Sequence, residues 1–82
     1  MKHVKKIYKE YFQEVISLNK KAEIRRGDYS VSDLLVLKEI SKESGRYTGR
    51  VCSCIITHIC EYGQTDGFKV LSISNVVGGE ID

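Results

Sequence analysis

The sequence predicts a small α+β domain in which a curled mixed sheet, or a small mixed β-barrel, is closed in part by one principal amphipathic helix. Three observations lead there. The chain has 82 residues, enough for one modest core. A single window carries the helical period, and the remaining apolar residues fall in alternating or β-branched runs separated by turns. With so few helices available as crossovers, a wholly parallel sheet is excluded.

Residues 3–7 read as a short first strand. Tyr8, Tyr11, Phe12, Val15 and Ile16 then recur at i, i+3, i+4, i+7 and i+8, with Lys9, Glu10, Gln13, Glu14 and Ser17 opposite. That pattern predicts an amphipathic helix of about three turns whose aromatic stripe packs into the core. Leu18-Asn19 is the expected stop, with Asn19 supplying the left-handed residue.

Beyond Asn19 the period becomes two, Ala22 and Ile24 alternating with Lys21, Glu23 and Arg25, as on a half-exposed strand. Arg26-Gly27-Asp28-Tyr29-Ser30 supplies a turn, and Asp33 leads into Leu34-Leu35-Val36-Leu37, a run short enough for a buried strand. Residues 41–49 form a polar loop. Residues 50–60 are rich in Val, Ile, Thr and Cys without helical spacing, which predicts one long central strand bent by a bulge. A last strand is expected over residues 68–73, after a glycine-containing turn at 61–67, and residues 76–82 are expected to fray.

The 13 Lys and Arg exceed the 11 Asp and Glu by a net charge of +2, too little to argue for nucleic acid. Their distribution is uneven. Through Arg26 eight bases meet three acids, and beyond it five bases meet eight acids. A basic face for an anion is compatible with this, as is simple solvation.

No apolar run approaches the roughly 20 residues that span a bilayer, and the lysine-rich start has no apolar stretch after it. A cytoplasmic protein with no membrane partner is expected. The cysteines, Cys52, Cys54 and Cys60, are odd in number and make a poor disulfide framework. Nor do they suit zinc with His58. Residues two apart on a strand lie roughly 7 Å apart, too far to gather four of them about one ion from a straight strand. No metal and no cofactor is predicted, and the thiols read as core or interface residues.

The densest polar constellation is Lys20-Lys21-Ala22-Glu23-Ile24-Arg25-Arg26. Lys20, Glu23 and Arg25 offer an ammonium, an acceptor and a rigid five-donor fork, a set that suits a nucleotide's phosphate and base edge. Alternating charges also describe an ordinary solvated strand with cross-strand ion pairs. Tyr29 and Tyr47 lie in predicted loops, where an aromatic ring is placed to stack a base or to pack a turn.

The stretch from Ser17 to Arg25 resembles the G-x-K-x-x-E-x-R signature of the ASCH domain superfamily. Further blocks are similar to a small phage and bacterial branch of it: His3-Val4-Lys5-Lys6-Ile7, residues 29–37, Tyr47-Thr48-Gly49-Arg50, Ile56-Thr57-His58-Ile59 and residues 67–73. The resemblance implies a PUA-like barrel, a cleft beside the helix and a role in binding RNA or a nucleotide. Lys20, Glu23 and Arg25 inherit the ligand contacts, flanked by Lys21, Arg26 and Tyr29, with Lys2, Lys5 and Lys6 extending the anionic track.

Two departures stand out. Leu18 replaces the motif glycine at the helix exit, which shifts the left-handed position to Asn19. Ser32 replaces the glycine before Asp33, which implies a turn with no positive φ. Some members of the superfamily hydrolyse the N-acyl group of a modified cytidine with a lysine, a threonine and a distal acid. Lys20 matches that lysine, Glu23 stands in the threonine's place, and the loop at 61–67 has no counterpart of the acid's segment. A small amidohydrolase is therefore one alternative, and a phage-derived protein-interaction module is another.

Overall fold

The computed structural model describes residues 1–80. Its elements run β1 (Lys2–Tyr8), α1 (Lys9–Ile16), β2 (Ala22–Arg26), β3 (Leu34–Ile40), β4 (Tyr47–Cys60) and β5 (Phe68–Glu80). All five strands join one mixed sheet in the order β1-β3-β4-β5-β2, in which only the β1–β3 pair is parallel. The α+β architecture and the central position of β4 are those the periodicity predicts.

Among the described residues no ladder joins the two edge strands, β1 and β2. Both nevertheless line one hollow, β1 through Ile7 and Tyr8 and β2 through Glu23, Ile24 and Arg25. The sheet thus curls until its edges face each other across a gap, a half-barrel with one seam left open. Helix α1 crosses one part of the opening. Tyr29, from the loop after β2, covers another by packing its ring 4.6 Å from that of His3 on β1.

The concave face holds the core. Leu35 and Leu37 of β3, Cys52, Cys54 and Ile56 of β4, and Leu71 and Ile73 of β5 lie on it by strict alternation, under Phe12 and Val15 of the helix. Residues of that size contribute roughly 1.5–3 kcal/mol each when fully buried, so a small domain depends on nearly all of them.

Helix α1 is shorter and buries less than its stripe suggests. It spans eight residues, and only Phe12 and Val15 are fully buried. Tyr8 and Tyr11 are 42% and 49% exposed. The physical reason is the open seam: the helix rests on the curled sheet along a narrow line, and the other two rings overhang the rim.

The helix ends in a Schellman turn, with Leu18 N–H donating to Val15 O and Asn19 N–H to Glu14 O, both at 3.0 Å. This makes Leu18, with φ 66°, the left-handed residue in place of Asn19. Ser32 also has positive φ, 78°, contrary to the turn expected there. Its N–H donates to Ile56 O at 2.7 Å and Ile56 N–H donates to Asp33 O at 3.0 Å, contacts that fix the loop against β4 whatever residue fills the position.

The last strand is longer than predicted. Residues 77–80 pair with Ser53, Cys52, Val51 and Arg50, where the composition suggested fraying. The long β4 needs a partner along its whole length. A register shift between Ser53 and Ile55 coincides with Asn75 at φ 53°, which turns the strand and lets it continue. A second shift between Ile56 and His58 bends β4 itself and breaks the shared parity of its cysteines with His58. The remainder of the predicted tail, residues 81–82, lies outside the described residues.

Candidate functional site

Strand β2 inverts the usual logic of a two-faced strand. Its apolar Ile24 points outward at 57% exposure, and its charged Glu23 points inward at 4%. Glu23 pairs in register with Leu71 and Arg25 with Lys69, which puts both on the concave face at the open seam. Burying a carboxylate is costly unless it is compensated, so the surrounding donors decide what the arrangement is for.

Those donors are the two cations of the sequence cluster. Arg25 Nε and Nη2 both lie 3.0 Å from Glu23 Oε2. Lys20, in the short segment between the Schellman turn and β2, donates through Nζ to Ala22 O at 2.6 Å. The same ammonium sits 3.4 Å from Glu23 Oε1, close enough for charge attraction, yet Oε1 accepts no hydrogen bond. One carboxylate oxygen is therefore doubly engaged, and the other is itself enclosed and meets Lys20 at ion-pair distance without a hydrogen bond.

These three side chains line a cavity of about 270 Å³ together with Ile7, Tyr8, Tyr11 and Ile24. Sites for drug-sized molecules run from about 300 to 1,000 Å³, so this hollow suits something on the scale of a single base or nucleotide. Its walls combine an aromatic pair with an acceptor between two cations.

The other residues of the cluster go elsewhere. Arg26 has the opposite parity and lays its guanidinium 4.7 Å from the Phe68 ring centre, on the convex side. Lys21 is exposed and lines a separate hollow with Leu18, Lys20 and residues 73–76. Tyr29 is buried, with its ring on His3 and its hydroxyl donating to Arg26 O at 3.3 Å, so it has no free face for a base. Tyr47 is 52% exposed.

Two clusters escaped the sequence reading. Asp33 accepts from the Met1 amine at 3.0 Å and Ser30 N–H at 3.0 Å, and shares a 2.7 Å hydrogen bond with His3 Nε2. The His3 contact, followed by the terminal amine and the Ser30 amide, lowers its carboxyl to a pKa of about 2. Glu39, 1% exposed, accepts from Thr48 Oγ1 at 2.6 Å and faces Arg50 Nη1 at 3.6 Å. Arg50 in turn lies 4.9 Å from the Phe12 ring centre. Glu39 shares parity with Leu35 and Leu37, the one signal that places it on the concave face.

Cys52 and Cys54 are core residues. Burial, then the charge of Glu23, pushes the Cys52 thiol up to about 11, with Arg50 acting in the opposite sense. Burial, then Cys52 and Glu23, pushes Cys54 to about 12. His58 is exposed on β4, and no group of three potential metal ligands gathers among the described residues.

Fold and site together define a small α+β domain with a charged hollow at the seam of a half-barrel. Residues 2–73 match a family described as a domain of unknown function (DUF3850), and the chain belongs to that family. A comparison with curated proteins finds no match.

Proposed function

We propose that this protein is an RNA- or nucleotide-binding module of the PUA-like, ASCH type that takes a base and its phosphate at the seam between β1 and β2. The observation that carries the reading is Glu23: a buried carboxylate held between Lys20 and Arg25 at the wall of a base-sized cavity, whose enclosed Oε1 accepts no hydrogen bond and is freed for a ligand when the Lys20 ammonium turns to a phosphate. A carboxylate accepts well from the exocyclic amine of cytosine and from other base N–H groups, and this supplies selectivity. Lys20 and Arg25 supply phosphate attraction without reading the base. Tyr8 and Tyr11 offer ring faces against which the base packs.

Binding fits the site better than hydrolysis does. The Lys20 ammonium donates to Ala22 O and lies at ion-pair distance from Glu23, which suits a charge partner more than a nucleophile. The test is a titration of the protein with nucleoside monophosphates and short RNA at several salt concentrations. Lys20→Ala should weaken binding to every sequence and reduce the salt slope by about one unit, and Glu23→Gln should change base preference with little effect on that slope. Binding that ignores both substitutions sinks the reading. Turnover of an N-acylated cytidine that disappears in Lys20→Ala would replace it with a hydrolase, and a specific protein partner with no nucleotide binding at any salt would replace it with an interaction module.

A further inference from the structure

Tyr8 lines two hollows at once. One is the Lys20–Glu23–Arg25 cavity; the other, about 390 Å³, is bounded by Tyr8, Lys9, Glu10, Gln13, Lys42 and Glu43. The ring is 42% exposed and carries Lys42 Nζ at 5.4 Å from its centre. From Tyr8 the sheet register runs across to Ile40 and then to Tyr47. Two strand spacings put the second tyrosine about 10 Å away on the same end of the sheet. Tyr47 is 52% exposed, and the ammoniums of Lys6 and Lys38 lie over its ring, 6.0 and 5.6 Å from the centre, where a phosphate would draw them off the face.

Two half-exposed tyrosines in file, the second with two lysine ammoniums at its ring, combine the two elements by which proteins hold an unpaired strand: a ring for the base face and a cation for the backbone. The acids nearby do not close the path. Glu10 is engaged by Lys42 at 3.2 Å, Glu43 keeps its charge but sits in the field of Lys9 and Lys42, and Glu39 is turned inward. Among the described residues no ion pair involves Lys6 or Lys38.

We infer that the pocket is the end of a track for single-stranded RNA that leaves it over Tyr8 and continues to Tyr47 between Lys6 and Lys38. The inference rests on the nucleotide-binding reading of the pocket and extends it from one nucleotide to a strand of several. A duplex is excluded as the partner, because its bases offer no free faces to the rings.

Fluorescence anisotropy with labelled, mixed-sequence RNA of one, three and six nucleotides tests it. Affinity should rise with length, and Tyr47→Ala should weaken the six-nucleotide strand about 5- to 100-fold while leaving the mononucleotide unchanged. Tyr47→Phe should restore the loss, since it keeps the ring. Lys6→Ala combined with Lys38→Ala should lower the salt slope for the long strand alone. Lys20-dependent mononucleotide binding with no gain from length, or with Tyr47→Ala silent, overturns the track and leaves the pocket reading intact. Six-nucleotide binding that needs Tyr47 and ignores Lys20→Ala overturns the pocket as its terminus, and equal affinity for a blunt duplex overturns the single-strand assignment.

Discussion

Arg25 grips Glu23 by a single oxygen, Nε and Nη2 both reaching Oε2 at 3.0 Å, and leaves Oε1 without a hydrogen bond. An unpaired buried acceptor costs about 1–3 kcal/mol, and Glu39 Oε2, 3.6 Å from Arg50, carries the same cost; what sets Glu23 apart is the cavity its side chain lines. Oε1 is itself enclosed, with the Lys20 ammonium 3.4 Å away, so under the proposed reading a ligand donor reaches it once that ammonium turns aside to a phosphate.

The same geometry predicts an asymmetry in stability. Arg25→Ala strands a carboxylate that is 5% exposed at its side chain, and should cost about 3 kcal/mol in urea unfolding. Replacing both partners, Glu23→Leu with Arg25→Leu, removes the charges together and should leave stability within about 1 kcal/mol of the parent, or raise it. The double variant should have lost nucleotide binding. A stability cost for the double change as large as that for Arg25→Ala would mean the pair is structural.

Leu18 and Ser32 occupy left-handed backbone, φ 66° and 78°, where a side chain carries a penalty of roughly 1–2 kcal/mol. Leu18 is 58% exposed, so little burial is lost with its side chain. Leu18→Gly and Ser32→Gly should each raise the unfolding free energy by about 0.5–1 kcal/mol after the extra chain entropy of glycine is subtracted, read as a higher urea midpoint at unchanged slope. Leu18→Ala, which keeps the Cβ, should give no gain. Equal behaviour of the Gly and Ala variants would show that backbone strain is absent at this turn.

The fold class is legible because periodicity reports the element type directly. All five strands and the helix lie where the local period, two or 3.6, places them. Alternation says which residues share a face; it does not say which face turns inward. On β2 hydrophobicity favours burying Ile24, and the structure buries Glu23 with Arg25 half-buried beside it. What the sequence does carry is that Glu23 and Arg25, two apart, must act together, and that Lys20 lies within reach after the helix.

The aromatic residues were harder to assign from sequence. The Tyr8 and Tyr11 stripe has the spacing of a core face and overhangs an open rim, and nothing local announces the seam. Tyr29 and Tyr47 look alike as loop aromatics. Only the pairing of β1 with β3 brings His3 beneath Tyr29 and buries it, and the same pairing leaves Tyr47 outside. Long-range contacts of that kind have no local signature in a single sequence. The extent of β5 is another: residues 77–80 are strand because β4 is there to pair with them.

Thiol chemistry should separate the cysteines cleanly. Cys52 and Cys54 are each 1% exposed, with thiols pushed up to about 11 and about 12, so neither thiolate nor access is available near neutral pH. Cys60 is partly exposed at the end of β4. Native protein treated with iodoacetamide at pH 8 should gain one adduct, mapped to Cys60 by mass spectrometry, and three adducts after unfolding. Rapid native labelling of Cys52 or Cys54 would place them outside the core.

Acid stability should follow Asp33. Its carboxyl ionises at about 2 in the folded chain against 3.8 ordinarily, held down first by the His3 hydrogen bond and then by the terminal amine and Ser30 amide. Between those two values the unfolded chain binds the proton that the folded chain refuses, so stability falls as pH drops. The contribution is complete above pH 3.8 and is lost as the pH passes through about 2. Asp33→Asn should be less stable than the parent at pH 7 and should show a flatter decline between pH 4 and pH 2, and His3→Ala should flatten the same window in part. Urea midpoints measured across that range decide it: parallel curves for parent and Asp33→Asn would show that the His3–Asp33 contact does not couple folding to protonation.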